Sequence, residues 1–172
     1  SVVAAIKQAI PDLEIAYAED PKNVPYGDKT PERLLELVIP KLRELEQAGC
    51  EVIVVACNTV TTTIIKEVRR QIGVPIVAIE PMVKPACKQT KSNIIAMCAT
   101  PATLRSPRYK ELLDLNAKDV KVLEPDCSDW SYLIENNEHN NDVIEDRIVG
   151  VCEQGADVIV LGCTHYHWIE EE

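Results

Sequence analysis

Gly49-Cys50-Glu51-Val52-Ile53-Val54-Val55-Ala56-Cys57 and Gly155-Ala156-Asp157-Val158-Ile159-Val160-Leu161-Gly162-Cys163 are two copies of one pattern. Gly matches Gly, acid matches acid, Val-Ile-Val repeats, and a small residue precedes each Cys at a constant offset of 106 residues. Each run is short, apolar and free of polar alternation, as expected of a strand buried on both faces within a parallel sheet. The offset is too long for a solenoid repeat and reads instead as two related half-structures. The fold class that follows is α/β: two similar doubly wound parallel-sheet domains related by a pseudo-two-fold, with an active site between them.

Further strands are expected at residues 14–18, 76–79, 93–98 and 120–123, beside those at 52–56 and 157–161. Helical patterns alternate with them. Thr30-Pro31-Glu32 supplies an N-cap, a proline at the first helical position and an acidic first turn, and the helix should run to Ala48 with Gly49 as its stop. A second helix should follow Cys57 and continue to Gly73-Val74-Pro75, and a third should run from about Asn141 to Gly155. Strands separated by helical crossovers make a parallel sheet. The stretch from Glu80 to Ser92 has two prolines and mixed charge and reads as irregular, so the halves divide at 1–90 and 91–172. The polar stretch 124–141 reads as a loop with one short helix around residues 132–135. A helix at residues 1–9 should have a strand feeding it, and the last strand should have a helix after it. Both ends therefore suggest a longer natural protein.

The balance of 18 Lys+Arg against 28 Asp+Glu gives a formal charge of −10 over 172 residues, with 46% hydrophobic residues and no Phe. That composition is globular and excludes disorder. It also argues against nucleic acid as a partner, because no basic stripe is available to neutralise phosphates. No apolar run approaches the ~20 residues of a membrane span, and no signal peptide is evident. Seven cysteines without close pairing or a secretion signal point to a reducing cytoplasm rather than a disulfide framework.

Cys57 and Cys163 each fall just past a strand, at the carboxyl edge where open parallel sheets bind ligands. Helix N-termini at that edge would favour a thiolate and a substrate carboxylate. If the halves face each other, the two sulfurs approach one substrate from opposite sides. Inverting a stereocentre needs that arrangement: one group takes the Cα proton from one face and a like group returns a proton to the other. A thiol titrating somewhat below ~8.5 suits the task without metal or pyridoxal help. Asn58, Thr59, Thr164 and His165 are candidate donors for the developing carbanion. A cysteine in an apolar run is ordinarily packing, and Cys50, Cys87, Cys98, Cys127 and Cys152 are assigned to that role. Metal binding by Cys163, His165 and His167 is the alternative to acid–base chemistry, although no CxxC pair accompanies them. His139 sits in an Asn-rich polar stretch and reads as solvated.

Ala56-Cys57-Asn58-Thr59 and Gly162-Cys163-Thr164-His165-Tyr166 resemble the two signature motifs of the glutamate racemases, within the aspartate/glutamate racemase superfamily. Val24-Pro25-Tyr26-Gly27, Ile79-Glu80-Pro81 and Ala99-Thr100-Pro101-Ala102-Thr103 with Ser106 and Tyr109 resemble three further family segments in the same order. The resemblance implies cofactor-independent racemisation of glutamate, supplying D-glutamate for peptidoglycan, by a cytoplasmic enzyme that is commonly a homodimer. It implies that Cys57 takes the proton of D-glutamate and Cys163 that of L-glutamate. Pro25, Tyr26, Gly27, Asn58, Thr59, Thr100, Thr164 and His165 would bind substrate, and Glu135 would tune Cys163 and His165 from behind. The sequence departs from the family at Met82, Ser128-Asp129-Trp130 and His167-Trp168, and has no counterpart of the family's first strand with its Asp-Ser-Gly end or of the segment after the second Cys motif. An aspartate racemase or a catalytically impaired amino-acid-binding module are the readings that compete.

Overall fold

The computed structural model describes residues 2–135 and 141–169; His139 lies outside them. Five strands form two parallel sheets. β1 (Ile53–Val55) pairs with β2 (Ile76–Ala78), and β3 (Ile94–Cys98) lies between β4 (Lys121–Leu123) and β5 (Val158–Leu161). The register sets Ile53 opposite Ile76 in the first sheet, and Ile94 opposite Lys121 and Cys98 opposite Leu161 in the second. Helices fill the crossovers, as parallel pairing demands.

In the first half, α1 (Val2–Ala9) buries nothing, while α2 (Pro31–Gln47) and α3 (Asn58–Gln71) cover one face of the sheet. The Thr30 side chain caps α2 by accepting from the Arg33 N–H at 3.3 Å, and Leu34, Val38, Ile39 and Leu42 line its inner face at helical spacing. Gly49 ends the turn that follows with φ +88°, a conformation open to glycine. The opposite sheet face leaves Val52, Val54 and Val77 exposed.

Two expectations fail here. Residues 14–18 form no strand: they line the cavity described below without regular structure, and β1 has a ladder partner only in β2 among the described residues. Ile15 and Tyr17 favour extended backbone, but a strand exists only where a neighbour accepts its hydrogen bonds. Conversely, the stretch read as irregular contains helix α4 (Val83–Gln89). Its Pro85 is the third helical residue, where the missing N–H would have had no intrahelical acceptor.

α4 drives Val83 and Ala86 into a core with Ile95, Met97, Tyr109 and Val160, so its packing is with the second half, whereas the division at residue 90 leaves it in the first. α5 (Pro101–Arg105), α6 (Pro107–Asn116), α7 (Trp130–Glu135) and α8 (Asn141–Glu153) complete that half, with a 3₁₀ turn at Tyr166–Ile169. A further buried cluster joins Cys98, Cys127, Trp130, Ile134, Ile144 and Tyr166 around Cys163. Cys50 and Cys87 are also packing residues, at the edges of the two larger cores. Cys152 is not: α8 turns Ile144 and Val151 inward, which leaves the next position exposed.

Candidate active site

The two halves enclose a cavity of about 1220 Å³. Every residue given a catalytic, substrate-binding or tuning role from the sequence lines it: Pro25, Tyr26, Gly27, Cys57, Asn58, Thr59, Thr100, Glu135, Cys163, Thr164 and His165; His167 does not. Both thiols therefore face one space, and the charge of a Cys163 thiolate raises the cost of ionising Cys57.

The walls meet through short polar contacts between residues distant in sequence. Asn58 Nδ2 donates to the Gly162 carbonyl at 2.9 Å, which ties the start of α3 to the residue before Cys163. Thr59 Oγ1 lies 2.9 Å from Thr100 Oγ1, the cap of α5. The Gly27 carbonyl accepts from the Ala102 N–H at 3.0 Å, and a Cβ on Gly27 would come within 2.7 Å of Thr100 Cβ. Only glycine allows that approach. Tyr26 donates its hydroxyl to Asp20 at 2.8 Å; Asp20 also accepts from Asn23 Nδ2 at 2.8 Å, so this wall is braced by its own loop.

The two cysteines differ in setting. Cys57 is the N-cap of the fourteen-residue helix α3; its side chain makes no capping hydrogen bond, but the nearby N–H groups of Val60 and Thr59 and the Thr59 hydroxyl favour its thiolate. Those donors and the helix dipole favour a thiolate by fractions of a kcal/mol to ~2 kcal/mol. Burial is the larger effect, and with the nearby Cys163 it pushes the Cys57 thiol up to about 11. Cys163 caps no helix among the described residues, where it is followed by a four-residue 3₁₀ turn, Tyr166–Ile169. The expectation that both thiols sit at helix N-termini thus fails for Cys163. Side chains surround it instead: His165 Nδ1 at 3.6 Å and Ser131 Oγ at 3.9 Å from Sγ.

His165 Nε2 makes an ion pair with Glu135 Oε1 at 2.6 Å. The Cys163 sulfur first, then the Glu135 carboxylate, hold the imidazole proton above its ordinary range, against burial, which pulls it down. The Trp168 ring leans against His165 with centroids 5.3 Å apart. No three His, Cys, Asp or Glu side chains gather as a metal site among the described residues.

Two polar atoms near the thiols are buried without a hydrogen-bond partner among the described residues: Asn58 Oδ1 and Trp130 Nε1. The first is an acceptor on a cavity-lining residue. Sequence reasoning passed over Ser131. Its signal was helical spacing, because α7 places Ser131 one turn before Glu135 and so on the same face toward the Cys163 turn.

Comparison with known proteins gives one answer. A family profile described as Asp/Glu/Hydantoin racemase matches residues 1–172. Among curated relatives, the glutamate racemase of Ralstonia pickettii (strain 12J) is 34% identical over 175 residues, covering 99% of this chain and 62% of that protein. The glutamate racemase of Sulfurovum sp. (strain NBC37-1) is 38% identical over 183 residues, covering 99% and 69%. Among solved structures, Escherichia coli glutamate racemase in complex with L-glutamate and the activator UDP-MurNAc-ala superimposes with a TM-score of 0.86 at 26% identity, over 99% of this chain and 66% of that one. The chain thus spans a little under two thirds of the Ralstonia and Escherichia proteins.

Proposed function

Because this chain belongs to the Asp/Glu/Hydantoin racemase family, we propose that the protein interconverts L- and D-glutamate by transferring a proton at the α carbon between two cysteines. The observation that carries the reading is the shared cavity: Cys57 from the edge of one parallel sheet and Cys163 from the edge of the other face the same space. In the L-to-D direction the Cys163 thiolate takes the Cα proton and the Cys57 thiol gives its proton to the opposite face, leaving a Cys57 thiolate. The reverse reaction starts from that state.

The burial that keeps Cys57 protonated near neutral pH suits the acid of this first direction. Asn58 Oδ1, an acceptor buried without a partner among the described residues, fits the substrate ammonium, and satisfying it removes a desolvation cost of ~1–3 kcal/mol. Thr59, Thr100 and Thr164, with the backbone of Pro25, Tyr26 and Gly27, offer neutral donors and shape for the two carboxylates. His165 lies where a cation near the developing enolate would count most. Glu135 holds that imidazole.

No cofactor enters this sequence of steps. The product would be D-glutamate for peptidoglycan. A homodimer and a cytoplasmic location belong to the same reading, and seven cysteines with no disulfide among them suit a reducing compartment. No helix among the described residues is long and apolar enough to cross a membrane.

The test is solvent exchange in heavy water, following deuterium at Cα of glutamate and, in parallel, of aspartate. The full-length protein should label glutamate in preference to aspartate. Cys57→Ala and Cys163→Ala should each lower racemisation in both directions by 10²-fold or more, on the order of a lost general acid or base. Near-normal racemisation by either variant defeats the two-thiol assignment.

A further inference from the structure

Helix α7 is only six residues long, yet its rotation is fixed: Trp130 and Ile134 are fully buried in the cluster behind Cys163. That orientation turns Ser131 and Glu135 together toward the Cys163 turn. Glu135 reaches His165, and Ser131, only 6% exposed, reaches the sulfur itself. Among the described residues Cys163 does not cap a helix, whereas Cys57 is the N-cap of α3. A thiolate there depends on what neighbouring side chains donate. A hydroxyl donates readily to such an anion, and a charge-assisted bond is roughly twice as strong as a neutral one. The other polar group beside Ser131 is the Tyr166 hydroxyl, which already donates to the Cys127 carbonyl at 3.1 Å. The Tyr166 oxygen can still accept from Ser131, so it competes with the Cys163 sulfur, 3.9 Å from Ser131 Oγ, for the Ser131 proton.

We propose that Ser131 is a positioning residue whose hydroxyl donates to the Cys163 sulfur and supports its thiolate form. Ser131 touches no reacting carbon and acts through the sulfur. The titratable groups around that sulfur are His165 on its own turn, Glu135 on α7, Tyr166, Cys57 across the cavity, and Cys98 and Cys127 in the buried cluster. Of these, His165 bonds the sulfur directly, so Ser131 and His165 share the anion. Losing the hydroxyl weakens the thiolate without abolishing it.

The kinetic consequence rests on the racemase reading, whereas the consequence for the thiol does not, and the experiment separates them. Iodoacetamide alkylation of Cys163, resolved by mass spectrometry of its peptide between pH 5 and 10, is compared in the wild-type full-length protein, Ser131→Ala and Ser131→Thr. Alkylation of Cys163 at pH 7 should fall about fivefold in Ser131→Ala, as its midpoint moves to higher pH, and should stay near wild type in Ser131→Thr. Cys57 in the same samples should change less.

In the racemisation assay, the acidic limb of kcat/KM should move to higher pH by a matching amount. The two directions should be affected equally, because the enantiomers are equal in free energy. An unchanged Cys163 midpoint in a folded Ser131→Ala protein overturns the proposal. A shifted midpoint in a protein that exchanges no solvent deuterium leaves Ser131 as proposed and removes the racemase reading.

Discussion

His165 lies between a sulfur at 3.6 Å and a carboxylate at 2.6 Å, and the order of those influences is testable. Its proton is held above the ordinary imidazole range by Cys163 first and Glu135 second. An NMR titration of the His165 ring should therefore move to lower pH in both Cys163→Ala and Glu135→Gln, and further in the former. The sign for stability follows from the raised value. The ion pair contributes fully below the unfolded imidazole's ~6.5 and is lost as pH rises through the folded value. Glu135→Gln should thus cost about 0.5–1 kcal/mol at pH 6 in urea unfolding and much less at pH 9. A cost that grows with pH contradicts the assignment. These residues were legible in the sequence as motif members, because Cys-Thr-His lies within three positions. Ser131 was not, since a serine among Asn, Asp and Tyr carries no chemical signal until α7 fixes which way it faces.

Elements obey the same logic of packing over composition. The five strands found are those whose apolar runs have a parallel neighbour, and residues 14–18 fail although their composition is strand-like, because a ladder needs a partner that composition cannot supply. Helix α4 was hidden for the opposite reason: proline reads as a breaker, but within a first turn it removes only a donor that helices leave unpaired. Tight contact between elements sets a further limit at the junction of β3 and β5. The Gly162 N–H donates to the Cys98 carbonyl at 2.7 Å, and a Cβ at Gly162 would meet Ala99 Cβ at 2.8 Å and that carbonyl at 3.0 Å. Both atoms are backbone or Cβ at the end of the central strand, so neither can rotate away. Gly162→Ala should destabilise the protein by about 1–3 kcal/mol, as overpacking does. It should also slow racemisation beyond what the folded fraction explains, because the shift displaces Cys163. A neutral melting temperature with normal activity would show that the junction has slack.

At the scale of the molecule, the duplicated Gly-to-Cys runs marked one strand of each parallel sheet, and both runs end at the cavity. What the sequence concealed is how acidic that cavity is. The whole chain carries −10, and its wall holds Glu14, Glu19, Asp20, Glu51 and Glu135 against the single lysine Lys41 among the described residues. On the proposed racemase reading, glutamate with its net negative charge is opposed at long range, and neutral donors (threonine hydroxyls, backbone N–H groups and the start of α3) would hold it only once it has arrived. Long-range repulsion is screened by salt, whereas hydrogen bonds to neutral donors are not. Raising ionic strength from 10 to 150 mM shortens the screening length from ~30 to ~8 Å. The rate constant kcat/KM should then rise, by about twofold, with most of the change in KM. A fall in kcat/KM over that range would mean that the positive end of α3 together with His165 dominates capture, and that the acidic wall is too well solvated to be felt.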